Sequence, residues 1–328
     1  MEYINWIADY PIENENENED LLHVEKVTAT LAKMLIFTET PFTLGINGEW
    51  GSGKSSIMKL IKQYIDSENN ETIHTTWFDT WNYANEKEIW KLLMISLLED
   101  LPSWEKKEAD VEQLLTSIIN IGTITANTIV SGGLNLVRDH DQIVSFAKDT
   151  IKVKRDKEQE ILKNKSNSIK YFREEFESVV NRGVGKKGKY IIFIDDLDRV
   201  EPNKTIEIIE ALKSFLACDK CVFVVGCDYE YLNNCVRQKY NNLNINPESY
   251  LEKIIQTTFN IGSINNSQFN VFISNYLNNI FPNSEDFIIA TNLINKSIGK
   301  NPRKIKRLIN SYAIIHNLNH SGIDIVFC

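Results

Sequence analysis

The sequence predicts an α/β fold, a parallel sheet covered by helices on both faces, and three observations carry that reading. Two short runs, residues 190–194 and 221–225, are continuously apolar, as strands buried on both faces are. Helical apolar periodicity flanks them at 203–217 and 229–239. A glycine-rich string separates a third apolar run, 42–47, from a helical pattern over 57–65. Strands alternating with helices need crossover connections, and crossovers make the sheet parallel.

The elements follow in chain order. Residues 12–20, IENENENED, form an acidic low-complexity stretch whose composition favours solvated chain over a packed core. Over 21–37, Leu21, Val24, Val27, Leu31 and Leu35 recur at helical spacing and predict a helix leading into the strand 42–47. After the helix at 57–65 come a strand at 72–77 and a helix over 86–101 that Pro102 stops. The strands 190–194 and 221–225 follow, with a last short strand at 256–261 after a helix around Leu251. Residues 266–320 read as helical only, a lid. Within the lid, Ile305, Leu308 and Ile309 are the expected buried face.

Two stretches interrupt the alternation. Residues 114–137 contain no charge across 24 positions, but Asn, Ser, Thr and Gly dilute their hydrophobicity. A single span there would put the two halves of the core on opposite sides of a bilayer, and 24 residues cannot make two spans. The expectation is an insertion that packs on the protein or on a partner. Residues 139–180 alternate charge densely and read as a long solvated helix with one weak apolar face; 183–189, GVGKKGK, read as a flexible basic turn. The organisation expected is an acidic segment at 1–20, a core at 21–262 with a helical insertion at about 103–182, and a helical lid at 263–328.

Composition narrows the function. With 328 residues, 42% apolar and 25% charged, the chain has the make-up of an ordinary globular protein. A net charge of −9 argues against a general nucleic-acid coat, which needs a positive face. The start, MEYINWIADYP, lacks the basic and apolar regions of a secretory signal, so a cytoplasmic location is expected. Four of the five cysteines, Cys218, Cys221, Cys227 and Cys235, crowd around one strand and read as reduced thiols rather than as a disulfide framework or a zinc site.

The chemistry lies in two strings. Gly48-Glu49-Trp50-Gly51-Ser52-Gly53-Lys54-Ser55, continued by Ser56, matches the phosphate-loop pattern directly after a strand and at the opening of a helix. Its glycines allow backbone N–H groups to turn inward as an anion nest at a positive helix end. Lys54 is expected on the β and γ phosphates and the Ser55 hydroxyl on Mg²⁺. The second string, residues 191–196, is four apolar residues ending in Asp195 and Asp196. Asp195 is expected to hold Mg²⁺ through water. Asp196 is a candidate to polarise an attacking water, with a helix cap or a partner that supports the site from behind as the alternatives. Arg199 reads equally as a stabiliser of γ-phosphate charge or as an ion-pair partner of Asp196 or Asp198.

These strings, with WFDTWNY at 77–83, VFVVGCDYEYL at 222–232 and NPRKIKRLIN at 301–310, resemble the KAP family of P-loop NTPases. The resemblance implies an additional-strand-class core with sheet order 5-1-4-3-2 and a helical C-terminal part. It also implies a bacterial, phage-exclusion-like member, and membrane segments where 114–137 lies. Asp79 stands where the family phrase usually has Asn. Cys227 and Asp228 fall where a polar group would sense the γ phosphate, with a helix cap equally open for Asp228. Arg303 resembles a second sensor reaching over the nucleotide; Lys306 and Arg307 read as solvent-facing and Asn310 as structural.

The function expected is ATP binding and hydrolysis with Mg²⁺, serving as a nucleotide-dependent switch in an anti-phage defence assembly. The absence of an Asn-Lys-x-Asp string favours ATP over GTP. No effector module is recognisable beside the core, so protein partners from the same operon are expected. Self-association is left open and nucleic acid ranked below. The alternative is a DNA-stimulated translocase or remodelling ATPase.

Overall fold

A computed structural model describes residues 6–7, 25–68, 70–86, 89–101, 165–215, 218–241, 243, 245–262, 266–277, 288, 291–292, 294 and 301–320. The acidic stretch 12–20, the uncharged run 114–137 and most of the charge-dense stretch after it lie outside these residues. The chain divides into two compact units, residues 1–32, 46–64 and 260–328 in one and 33–45 and 65–259 in the other.

The larger unit is built on the sheet. Strands β1 (Phe42–Asn47), β2 (Ile73–Asp79), β3 (Lys189–Asp195), β4 (Cys221–Cys227) and β5 (Thr257–Asn260) stand in the order β2-β3-β4-β1-β5. This parallel order is the expected one, read from the opposite edge. The β2–β3 register runs from Ile73 beside Lys189 to Asp79 beside Asp195, so two carboxylates end neighbouring strands side by side. β3 and β4 are buried almost throughout, which is why their sequences are unbroken apolar runs.

Helices cover the sheet: α3 (Ile89–Glu99), α4 (Lys165–Val184), α5 (Pro202–Phe215), α6 (Tyr229–Lys239) and α7 (Pro247–Leu251), numbered after α1 (Glu25–Phe37) and α2 (Lys54–Ser67). One core joins Phe78, Leu93, Phe176, Tyr190, Phe223 and Leu232. The end of α4 is less solvated than its charge density suggested, because Phe176, Val180 and Val184 recur at intervals of four and pack into that core. The basic turn is corrected at both ends, since Gly183 and Val184 belong to α4. Lys189 opens β3, is half-buried, and donates to the Ile36 and Thr38 carbonyls at the end of α1. A cation placed there meets carbonyls left unpaired by the helix terminus. Burial still holds its pKa below the usual lysine value.

The smaller unit contains the start of α2, α8 (Asn266–Leu277) and α9 (Pro302–His320). Its core gathers Phe272, Ile273, Leu277, Ile294, Ile305 and Ile309, with Ile7 packed against them. Leu308, expected inside, is 39% exposed. Ile305, Ile309 and the buried Ala313 follow one another at four-residue intervals, and Leu308 lies about 100° round the helix from Ile309. Asn310 has the structural role expected of it: its amide accepts from the Ile7 N–H at 2.7 Å and donates to the Ile7 carbonyl at 2.8 Å.

Candidate functional site

The residues singled out in the sequence fall into two clusters, one in each unit. In the smaller unit, residues 48–53 form the loop between β1 and α2, and Gly53 O accepts from Ile57 N as the first bond of the helix. The N–H groups of the first turn, from Lys54 onward, have no carbonyl a turn earlier to bond. Lys54 is buried, and its ammonium donates back to the Gly48 carbonyl at 2.8 Å and the Glu49 carbonyl at 3.3 Å. Ser52 N donates to Glu49 O, closing a tight turn inside the loop. The Ser52 hydroxyl is inaccessible and has no hydrogen-bond partner among the described residues. Ser55 and Ser56 are half-buried in the first helical turn.

Gly51 and Gly53 stand at φ +83° and +102°, where a side chain is strained. Space adds a second constraint at Gly51 alone. A Cβ there would meet Arg303 Cβ at 2.8 Å and Asn301 Oδ1 at 2.9 Å, whereas at Gly53 it would meet no atom of the described residues within 4 Å. Gly51→Ala is therefore expected to lower stability by about 1–3 kcal/mol and to weaken nucleotide binding with it. Denaturant melts and a nucleotide titration check this, and wild-type values in both would refute the geometry.

Arg303 lies against the loop, with its guanidinium 5.9 Å from the centre of the exposed Trp50 ring. Asn301, which the sequence reading passed over, donates from Nδ2 to the Trp50 carbonyl at 3.0 Å. The signal was present, since Asn before Pro at a helix start is a capping pattern.

In the larger unit the carboxyl end of β3 carries the acids. Asp195 is buried, and its Oδ1 accepts from the Asp196 N–H at 2.9 Å. Its backbone carbonyl accepts from the Thr80 hydroxyl at 2.8 Å. Asp196 has left-handed backbone, φ 58° and ψ 29°, and makes no side-chain cap to the short 3-10 turn Leu197–Arg199 that follows. Capping is thus excluded as its role. Its carboxylate forms an ion pair with Arg199 Nε at 2.8 Å, and the Arg199 guanidinium lies 4.5 Å from the centre of the Trp81 ring. Burial, then the neighbouring Asp195, pushes the Asp196 carboxyl up to about 7; Arg199 pulls it down, while Asp79 and Asp198 add to the rise.

The remaining candidates resolve locally. Asp79 caps the 3-10 turn Thr80–Tyr83 by accepting from Trp81 N at 2.9 Å, a role the amide oxygen of Asn would fill equally. Asp228 is the N-cap of α6, accepting from Glu230 N and Tyr231 N. Its carboxylate is engaged in the helix, which favours the cap over the sensor. Cys227 is buried at the end of β4, and among the described residues neither it nor Cys218, Cys221 or Cys235 forms a disulfide. Arg307 is exposed as expected, but Lys306 is half-buried and has a partner. No helix among the described residues is long and apolar enough to cross a membrane.

A parallel five-stranded sheet in this order, with a glycine loop joining its first strand to a helix, is the architecture of a P-loop nucleotide-binding domain. Within that class the chain belongs to the KAP family: the model of the KAP family P-loop domain matches residues 24–319. The Phage T7 exclusion protein of Escherichia coli (strain K12) is 22% identical over 299 residues, which is 85% of this chain and 39% of that protein. The chain therefore spans well under half the length of that relative. Among solved structures it is similar to the Aeropyrum pernix ORC1 protein in complex with DNA, at TM-score 0.46 and 12% identity over 95% of this chain and 63% of that one. The Aeropyrum pernix ORC2 protein, in ADPNP–ADP complexes, gives 0.45 and 9% over 98% and 68%.

Proposed function

We propose that the chain binds and hydrolyses ATP, and that its nucleotide state is read by a protein partner in a bacterial anti-phage defence assembly. The observation that carries the nucleotide part is the loop itself. A buried ammonium rests on two loop carbonyls beside a helix N-terminus, and a buried hydroxyl, Ser52 Oγ, has no partner among the described residues. Such a cradle fits a polyphosphate, which would take the Lys54 ammonium from the carbonyls and satisfy Ser52. The absence of an Asn-Lys-x-Asp string supports adenine over guanine.

The residues present fit Mg²⁺ in kind, since hydroxyl and carboxylate oxygens are its preferred donors. Ser55 and Asp195 are assigned to it; when bound it neutralises charge on the β and γ oxygens. Asp196 is assigned as the base that orients water, a role suited to a carboxyl raised towards neutrality. Arg199 and Arg303 are assigned to the charge that develops on the γ phosphate, Arg199 after release from Asp196. The defence setting rests on the likeness to the Phage T7 exclusion protein and on family membership.

Phosphate release by the purified chain, alone, with duplex DNA and with its co-encoded proteins, tests the proposal. Magnesium-dependent turnover that responds to a co-encoded protein is expected. Absence of both nucleotide binding and turnover would overturn the nucleotide reading. Strong stimulation by DNA without any partner would replace the switch by a translocase.

A further inference from the structure

The loop and α9 are joined by one side chain whose two ends do different things. Asn301 Oδ1 accepts from Lys304 N at 3.2 Å, and the Asn301 carbonyl accepts from Ile305 N at 3.1 Å, so Asn301 caps α9 with Pro302 in the first helical position. Its Nδ2 donates to the Trp50 carbonyl at 3.0 Å. The cap needs an acceptor and the loop contact needs a donor. An amide offers both at once, whereas a carboxylate only accepts.

The contact with Trp50 bears on the phosphate loop through the peptide plane. In a trans peptide the C=O and N–H point in opposite directions, so holding the Trp50 carbonyl towards Asn301 turns the Gly51 N–H away from it. Gly51 is one of the loop residues whose backbone groups are suited to an anion nest, and at φ +83° it is a glycine, with no side chain to hold its peptide in place. Free rotation of this peptide would add conformers that an anion must first exclude, and a hydrogen bond from outside the loop removes that cost.

We propose that Asn301 is a positioning residue of the phosphate loop: its amide fixes the peptide between Trp50 and Gly51 and thereby raises affinity for the nucleotide polyphosphate. The inference rests on the nucleotide reading and extends it to a residue outside the loop. It also makes α9 a part of the binding apparatus rather than a passive cover.

Two variants separate positioning from capping. Asn301→Ser keeps a short neutral N-cap, but its hydroxyl is too short to serve both partners; Asn301→Ala removes both contacts. Melting temperature and the affinities for ATP and ADP, titrated with fluorescent analogues, are measured for each and for the wild type. Asn301→Ser is expected to melt close to the wild type while binding both nucleotides about fivefold more weakly. Asn301→Ala is expected to lose affinity similarly and to melt lower. Wild-type affinity in Asn301→Ser would overturn the inference and leave the nucleotide reading intact. Loss of affinity only in Asn301→Ala, in step with melting, would also overturn it, by showing that the cap alone matters. A wild type that binds neither nucleotide would overturn both.

Discussion

Lys54→Ala is expected to abolish detectable ATP turnover and to weaken nucleotide binding by roughly a hundredfold or more. The ammonium is buried and donates to the Gly48 and Glu49 carbonyls, so its charge is held at the loop before any nucleotide arrives. Its removal takes away the loop's one cationic side chain and two bonds that shape it. Lys54→Arg separates these roles. It keeps the charge but spreads it over a larger planar group that this small turn does not accommodate, so binding is expected to recover only in part. Isothermal titration with ATP and with ADP reads the affinity, and phosphate release reads the turnover. Near-wild-type turnover in Lys54→Ala would remove the loop from the site.

Asp196→Asn is expected to leave nucleotide affinity within about threefold and to lower turnover about 100- to 10,000-fold, the range of a lost general base. The substitution suits the position. Asn keeps the shape of the side chain and is among the few residues that accept left-handed backbone, so φ 58° is not disturbed. Arg199 loses its carboxylate partner and retains the face of Trp81. Asp195→Asn gives the contrast: as the assigned Mg²⁺ ligand it is expected to weaken magnesium-dependent binding as well as turnover. Single-turnover phosphate release with bound ATP distinguishes the two. Undiminished release by Asp196→Asn would transfer the base role elsewhere.

Much of this organisation is legible without coordinates. Strands buried on both faces must be apolar throughout, which is why β3 and β4 stand out, and a phosphate loop needs its glycines at fixed intervals. The sequence pattern ends β2 two residues early because Phe78 and Asp79 extend it past an amphipathic start, to a register beside β3 that only pairing fixes. It places Leu308 inside because periodicity does not reveal which neighbouring positions along a helix the rest of the core fills. The site shows the same division. Residue type and spacing identify Lys54, Ser55, Asp195 and Asp196, but the pairing of Arg199 with Asp196, and of Asn301 with Trp50, depends on contacts across turns and between segments. Those contacts join residues whose separation carries no periodic signal.

The left-handed backbone at position 196 also explains a preference of residue type. Asp is one methylene shorter than Glu, the other carboxylic acid. Left-handed φ and ψ bring Cβ close to the following carbonyl oxygen, at a cost of roughly 1–2 kcal/mol that Asp and Asn offset through short side chains able to bond locally. Glu has no such local bond to offer. The turn thus favours Gly, Asn or Asp at this position before any demand for acidity, and of these only Asp supplies a carboxylate. Here the geometry of the chain selects the residue, and the chemistry uses what that selection leaves.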